Sequence, residues 1–417
     1  MFSSPLYWNN TVYFSGNSHS IAAYALKNGV LATPPTAQSI AMAGGHGPGI
    51  SANGNTSGVL WVIGGKSMSA FDAVSLKQLY STAQAGTRDT LPAQPHYSTQ
   101  MVANGKVYVG TQTNLMVYGL LPVLTATAGN NQSAIVGTTL PIPLQVQLLD
   151  PYTGQPIPGV TVTFTDGGKG GTFGTPNPVT DSSGSASTTY RFNNVARTIT
   201  ITASNPVVKA TMFTETASPG PPKWVVILSG AKQSAQVTTS LPAPIVTKTS
   251  DQYSNGIPGT TVTYTDGGAG GSFSPPSVIT DSLGRASTVY TTSTKAGALT
   301  ITATVAGLNP LKISETAAPG PVSAIGVVGG NNQTGPVSSL LPQALVVKVT
   351  DKYSNPVPAA LVSYSDGGAG GSFSANPVST DNNGQAGSSY TTPPTSGTVR
   401  ITASVGSVAT QFTETAQ

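Results

Sequence analysis

Along the last 300 residues the chain alternates between apolar and hydroxylated positions. In VTVTF, Val160, Val162 and Phe164 point one way and Thr161 and Thr163 the other, which is the two-residue period of a half-buried strand. TVTY (Thr261–Tyr264) and LVSY (Leu361–Tyr364) repeat the pattern, as do ITITA and RITAS nearer the end of each unit. These runs are rich in Val, Ile, Thr and Tyr and are bounded at short intervals by Gly, Pro, Asn and Asp. No stretch shows helical periodicity, so the chain is predicted to be all-β.

The alternating runs recur because the sequence itself recurs. TDGGKGGTF starts at Thr165, TDGGAGGSF at Thr265 and SDGGAGGSF at Ser365, a spacing of 100 residues each time. Upstream of each stands DPYTGQPIPG (from Asp150), DQYSNGIPG (from Asp251) or DKYSNPVPA (from Asp351). Downstream come TDSSGSASTTY, TDSLGRASTVY and TDNNGQAGSSY, and each copy closes on FTETA or ISETA. About seven short strands in roughly 100 residues is the pattern of a β-sandwich of immunoglobulin type. Expected core anchors are Phe164, Phe173 and Tyr190 in the first copy, Tyr264, Phe273 and Tyr290 in the second, and Tyr364, Phe373 and Tyr390 in the third.

The glycine stretch invites a phosphate-loop reading, and its context argues against one. A phosphate cradle needs glycines leading into a helix N-terminus, with Lys and Ser/Thr at fixed places. Here strand patterns flank the loop on both sides, and Lys169 becomes Ala269 and Ala369. A strand connection with glycines at positive φ accounts for all three copies.

Residues 1–120 differ in kind. NTVYFSGNSHSIAAYAL, GVLWVIGGKSMSAFDA and GKVYVGTQTNLMVYGL align at Val12, Leu60 and Val107, each reading as strand, turn and strand up to an aromatic at Tyr24, Phe71 or Tyr118. Units of this length suggest about three blades of a β-propeller.

Two resemblances follow from these motifs. GNNQ at Gly129–Gln132 and Gly330–Gln333 (GAKQ at Gly230–Gln233 in the middle copy), the Asp-to-Pro stretch, T-D-x-x-G-x-A and the terminal T-x-T-A strand make residues 121–417 resemble bacterial immunoglobulin-like domains of the invasin/intimin group. That resemblance implies tandem modules at the cell surface that project or present something without catalysis. AFDAVSLKQLY, Ala70–Tyr80, is similar to the docking motif of quinoprotein-like propeller repeats, with Ser75 in place of Thr, Leu76 in place of Gly and Tyr80 in place of Trp. In that family the motif locks neighbouring blades. The expected organisation is a partial propeller over 1–120, then immunoglobulin-like domains over 121–218, 219–319 and 320–417. Three blades do not close a ring, so the chain is expected to be the C-terminal part of a longer protein whose signal peptide and earlier blades precede it.

Charge then narrows the chemistry. Net charge is +4, from 18 basic and 14 acidic side chains with no basic run, which gives no support to nucleic-acid binding. There is no cysteine, hence no disulfide and no thiolate ligand. No apolar run is long enough for a spanning helix. Twelve of the acids fall four to a copy: Asp150, Asp166, Asp181 and Glu215; Asp251, Asp266, Asp281 and Glu315; Asp351, Asp366, Asp381 and Glu414. Asp in DSSG, DSLG and DNNG suits turns. Calcium is the competing reading and the one cofactor worth weighing, with an ion near the linkers at the three glutamates. The histidines His19, His46 and His96 lie in different units without metal spacing, and residues 1–120 hold only Asp72 and Asp89.

No catalytic, cofactor-binding or metal-ligating residue is therefore assigned. The expected protein is non-enzymatic and extracellular or cell-surface, its tandem domains a stalk or adhesive array whose partner is a protein or a glycan. The alternatives are a secreted quinoprotein-like propeller enzyme with immunoglobulin-like spacers, and a carbohydrate-binding protein. The latter would expose aromatic platforms, whereas Trp8, Trp61 and Trp224 all read as strand residues.

Overall fold

A computed structural model describes residues 4–16, 18–42, 47–95 and 98–417. Strands dominate, and the only helical turn among the described residues is Thr82–Ala85, capped by Ser81. The chain divides into two compact units, one of residues 1–193 with 197–217, the other of 194–196 with 218–417.

The first unit begins with three successive antiparallel sheets. The first joins Leu6–Trp8, Thr11–Phe14, Ser20–Lys27 and Val30–Leu31, with Ala37–Ala41 pairing Ser20–Lys27. The second runs Gly49–Asn53, Thr56–Gly64, Ser67–Asp72 and Gln78–Ser81, and the third Gln100–Ala103, Lys106–Gly110 and Leu115–Tyr118. Each expected strand pair is present. Tyr13, Ile21, Leu60 and Phe71 are buried in one cluster, and Ile63, Met68, Leu91, Val107 and Val109 in the next. Apolar burial of this kind holds consecutive meanders together at roughly 25 cal/mol per Å². Among the described residues these sheets are separate meanders and do not close into a propeller ring.

The 100-residue repeats each fold as facing sheets around one core. In the second, Trp224–Ser229, Ile245–Ser250, Arg285–Thr291 and Ser272–Ser274 form one sheet. Ser234–Gln236, Leu311–Ala318, Gly297–Val305, Thr261–Thr265 and Ser277–Ile279 form the other. The third repeats this order, with Ser372–Phe373 and Tyr390–Thr391 as a separate pair. In the first, one parallel bridge between Val123 and Lys209 joins the two sheets along one edge.

Alternation puts Val262, Tyr264, Ile301 and Ile313 inside the second repeat and Val362, Tyr364, Ile401 and Phe412 inside the third. Phe164 and all of Tyr190, Tyr290 and Tyr390 are buried as expected. Phe173, Phe273 and Phe373 are only half-buried. They lie in two- or three-residue strands and pack against the tyrosines, with ring centroids 4.7, 4.7 and 4.9 Å apart. A short marginal strand cannot cover both faces of a ring.

Candidate functional site: the repeated carboxylates and the repeat junctions

The first aspartate of each copy follows a core strand, at the point where the chain must turn. Asp351 Oδ1 accepts the amides of Tyr353 at 2.8 Å and Asn355 at 2.9 Å, an Asx-type turn. Its other oxygen accepts the Gly320 amide at 2.8 Å and Asn355 Nδ2 at 2.9 Å. Asn355 in turn donates through Nδ2 to Thr294 O at 2.8 Å, and its Oδ1 accepts the Ala296 amide at 2.9 Å. One Asp–Asn pair thus ties the turn of the third repeat to the connecting segment and to a loop of the second. Burial opposes ionisation of Asp351, but Asn355, the Gly320 amide and the turn amides outweigh it, and the carboxyl is held below its usual range.

Asp251 and Asn255 make the same set, to Gly220 and to Asn194 O and Ala196 N, within the same unit. In the first copy the turn reads DPYTGQ and has no asparagine. There Thr153 closes the turn on Asp150, and Tyr152 Oη donates to Gly105 O and accepts the Leu120 amide.

The second aspartate organises the glycine loop. Asp166 Oδ1 accepts the amides of Gly168 and Lys169, while Oδ2 accepts Gly171 N at 2.9 Å and Tyr190 Oη at 2.8 Å. Gly167, Gly168 and Gly170 take φ of +64°, +76° and +86°. The loop connects Thr163–Thr165 to Thr172–Phe173, so it joins strands and leads into no helix. The third aspartates, Asp181, Asp281 and Asp381, cap exposed turns: each accepts amides two and four residues on.

The glutamates lie late in the last strand of each repeat, and their side chains turn into their own repeat. Glu215, Glu315 and Glu414 are 0%, 3% and 0% exposed, and each carboxylate accepts an amide of its own repeat's loop, at Gln132, Gln233 and Gln333. The second oxygen of each is buried without a protein partner. Burial dominates and pushes all three up, Glu215 to about 7. The carboxylate that ties the third repeat to the connecting segment and the second repeat is Asp351, its oxygens already occupied by amide donors. Among the described residues no three of His, Cys, Asp and Glu gather in ion-binding fashion.

In residues 1–120, Asp72 Oδ1 accepts Val74 N, Ser75 N and Ser75 Oγ, closing the turn in AFDAVSLKQLY. Leu76, standing where the motif has glycine, takes φ +54°. Asp89 is bound by Arg88 and by Tyr80. His46 and His96 lie outside the described residues, as does most of the glycine-rich stretch around His46. Trp8 and Trp61 are tied down through Nε1 to Gly54 O and Ser51 Oγ. Trp224 is a strand residue too, yet 53% exposed.

Sequence reasoning missed Asn255 and Asn355, and also the Asp166–Tyr190 pairing. The available signal was the shared D-x-Y-S-N, present in the two copies that follow another repeat and absent from the first.

No protein-family model matches the chain, and no curated protein matches it. Among solved structures it is similar to FdeC, an Escherichia coli adhesin, at 17% identity and TM-score 0.47 over 72% of this chain and 99% of that one. It is also similar to InvD of Yersinia pseudotuberculosis (16%, TM-score 0.41, 70% and 84% covered). Invasin, a bacterial integrin-binding protein, gives 18% identity and TM-score 0.38 over 89% of this chain and 78% of its own. Likeness at this level says nothing of what this chain binds. No helix among the described residues is long and apolar enough to cross a membrane.

Proposed function

We propose that the chain is a non-enzymatic, extracellular or cell-surface protein in which immunoglobulin-like domains at 121–218, 219–319 and 320–417 form a stalk that carries a binding surface. The observation that carries this reading is the Asp351–Asn355 pair. It spends one buried carboxylate and one side-chain amide on holding the connecting segment and the preceding loop, an arrangement with a use in a spacer that must resist bending. Net hydrogen bonds are worth about 0.5–1.5 kcal/mol each, more when one partner is charged, so the set restrains the junction appreciably. Proline in SPGPP and APGP stiffens the same connections. The 1–120 part is read as three quinoprotein-like propeller blades, supported by the closed Asp72–Ser75 turn and by Leu76 holding a glycine conformation.

Single-molecule extension of the whole chain tests the stalk. The expected trace shows three equal unfolding steps, each releasing about 100 residues at roughly 3.3–3.6 Å per residue. Extension without discrete steps for residues 121–417 would contradict it.

A further inference from the structure

The geometry points to a docking face on the second repeat for an extended acidic peptide segment bearing aromatic or aliphatic anchors. This deepens the stalk reading by naming the surface and its partner class.

Trp224, Val226 and Leu228 alternate along Trp224–Ser229 and turn outward, 53%, 42% and 47% exposed, while Val225 and Ile227 pack on the core. The strand ends its sheet. The equivalent outward positions are Val123, Thr125 and Thr127 in the first repeat and Ala324, Gly326 and Val328 in the third. Only the second repeat builds a continuous large apolar stripe. Its residues recur about every 7 Å, the side-chain spacing along one face of an extended chain.

Charge supplies the second half of the argument. Val226 lies opposite Lys248, and Lys248 opposite Arg285, so one row across three strands ends in two cations. Like charges directly opposite one another in a sheet are unfavourable. The same row reads Thr125, Gln147, Ser185 in the first repeat and Gly326, Lys348, Gln385 in the third. Among the described residues neither Lys248 nor Arg285 has a carboxylate within ion-pair distance. Lys248 Nζ donates to Ser254 O. The nearby Asp281 is attracted to Arg285 outside ion-pair distance and spends Oδ1 on the amides of Leu283 and Arg285.

Residues 219–319 carry six basic and four acidic side chains, against four and four in 121–218 and three and four in 320–417. Two of the four acids, Asp251 and Glu315, are buried. A groove of about 390 Å³ continues the face, lined by Leu228, Lys248, Pro258, Leu283 and Arg285. Trp224 offers a sugar one N–H donor and an aromatic face, but Val226 and Leu228 offer its hydroxyls nothing, so the stripe as a whole fits a peptide with alternate apolar side chains, and the cations fit carboxylates between them.

The test uses the full chain and three probes: a random glutamate–tyrosine copolymer, polyglutamate, and heparin. The expected result is binding of the copolymer, at least about tenfold tighter than either other probe and weakened about tenfold or more by Trp224→Ala and by Lys248→Glu with Arg285→Glu. Lys348→Glu in the third repeat should leave it unchanged. Leu228→Ser serves as the second apolar variant if Trp224→Ala lowers the melting temperature. No copolymer binding, equal binding of heparin, or equal weakening by Lys348→Glu would overturn the proposal. None of those results would bear on the stepwise extension that tests the stalk.

Discussion

Tyr190 Oη donates to Asp166 Oδ2 at 2.8 Å, joining a core ring to the carboxylate that holds the glycine loop. The same bond, at 3.0 Å, recurs between Tyr290 and Asp266 and between Tyr390 and Asp366. Each ring is therefore both a packing element and a side-chain donor to a carboxylate whose other partners are loop amides.

Replacing that tyrosine by phenylalanine keeps the ring and deletes the donor. Tyr290→Phe is expected to cost about 1–2 kcal/mol, because Asp266 Oδ2 loses its hydroxyl donor and keeps only the Gly271 amide. Chemical denaturation should show a lower midpoint with an unchanged slope. An unchanged midpoint would mean that water replaces the hydroxyl freely.

Gly271 sits where a Cβ would run into Tyr290 Oη and Thr291 O, while Gly268 has open space around it and φ +87°. Gly271→Ala should therefore destabilise more than Gly268→Ala, whose cost is backbone strain alone. Overpacking of this kind runs to about 1–3 kcal/mol. Parallel melts of the two variants check the order.

Stability should fall as pH rises from about 4.5 through about 7. Glu215 has its folded pKa raised to about 7 by burial, above the usual 4.5, and Glu315 and Glu414 are raised in the same direction. A raised folded pKa means the folded state holds the proton more tightly. That contribution is complete below the unfolded pKa and is lost as pH rises through the folded one. The paired aspartates are shifted the other way, so their contribution is lost only on further acidification. A variant with Glu215→Gln, Glu315→Gln and Glu414→Gln should show a flat melting temperature across this window. A slope as steep as the parent's would assign the effect elsewhere.

Calcium should change the melting temperature little. The oxygens of Asp251 and Asp351 are already occupied by amide donors, and an ion would have to displace them. Melts with millimolar calcium and with chelator are expected to coincide. A rise of several degrees with calcium would revive an ion near the junctions.

What could be read from the chain was what is local. Period-two alternation placed Val162 and Phe164 inward, and DSSG or DNNG announced turns closed on Asp181 and Asp381. The Asp166–Tyr190 bond spans 24 residues and depends on which residue lies opposite Phe173, which is a matter of register. Asn355 and Ala296 are 59 residues apart in different repeats, and only folding brings them together. Trp224 shows the limit of pattern: in WVVIL every position is apolar, so alternation has no polar member to reveal which set faces solvent. The half-burial of Phe173 has the same root, since residue type does not tell how much sheet surrounds a ring.

The most direct measurement is the distance distribution between spin labels on the second and third repeats. With no native cysteine, Thr263→Cys and Ser363→Cys place one label on each, both at exposed positions. A stalk held by Asp351 and Asn355 predicts one narrow distance that broadens markedly when Asn355→Ala is added. A broad distribution in the parent, or one unaltered by Asn355→Ala, would contradict the claim that these residues stiffen the junction.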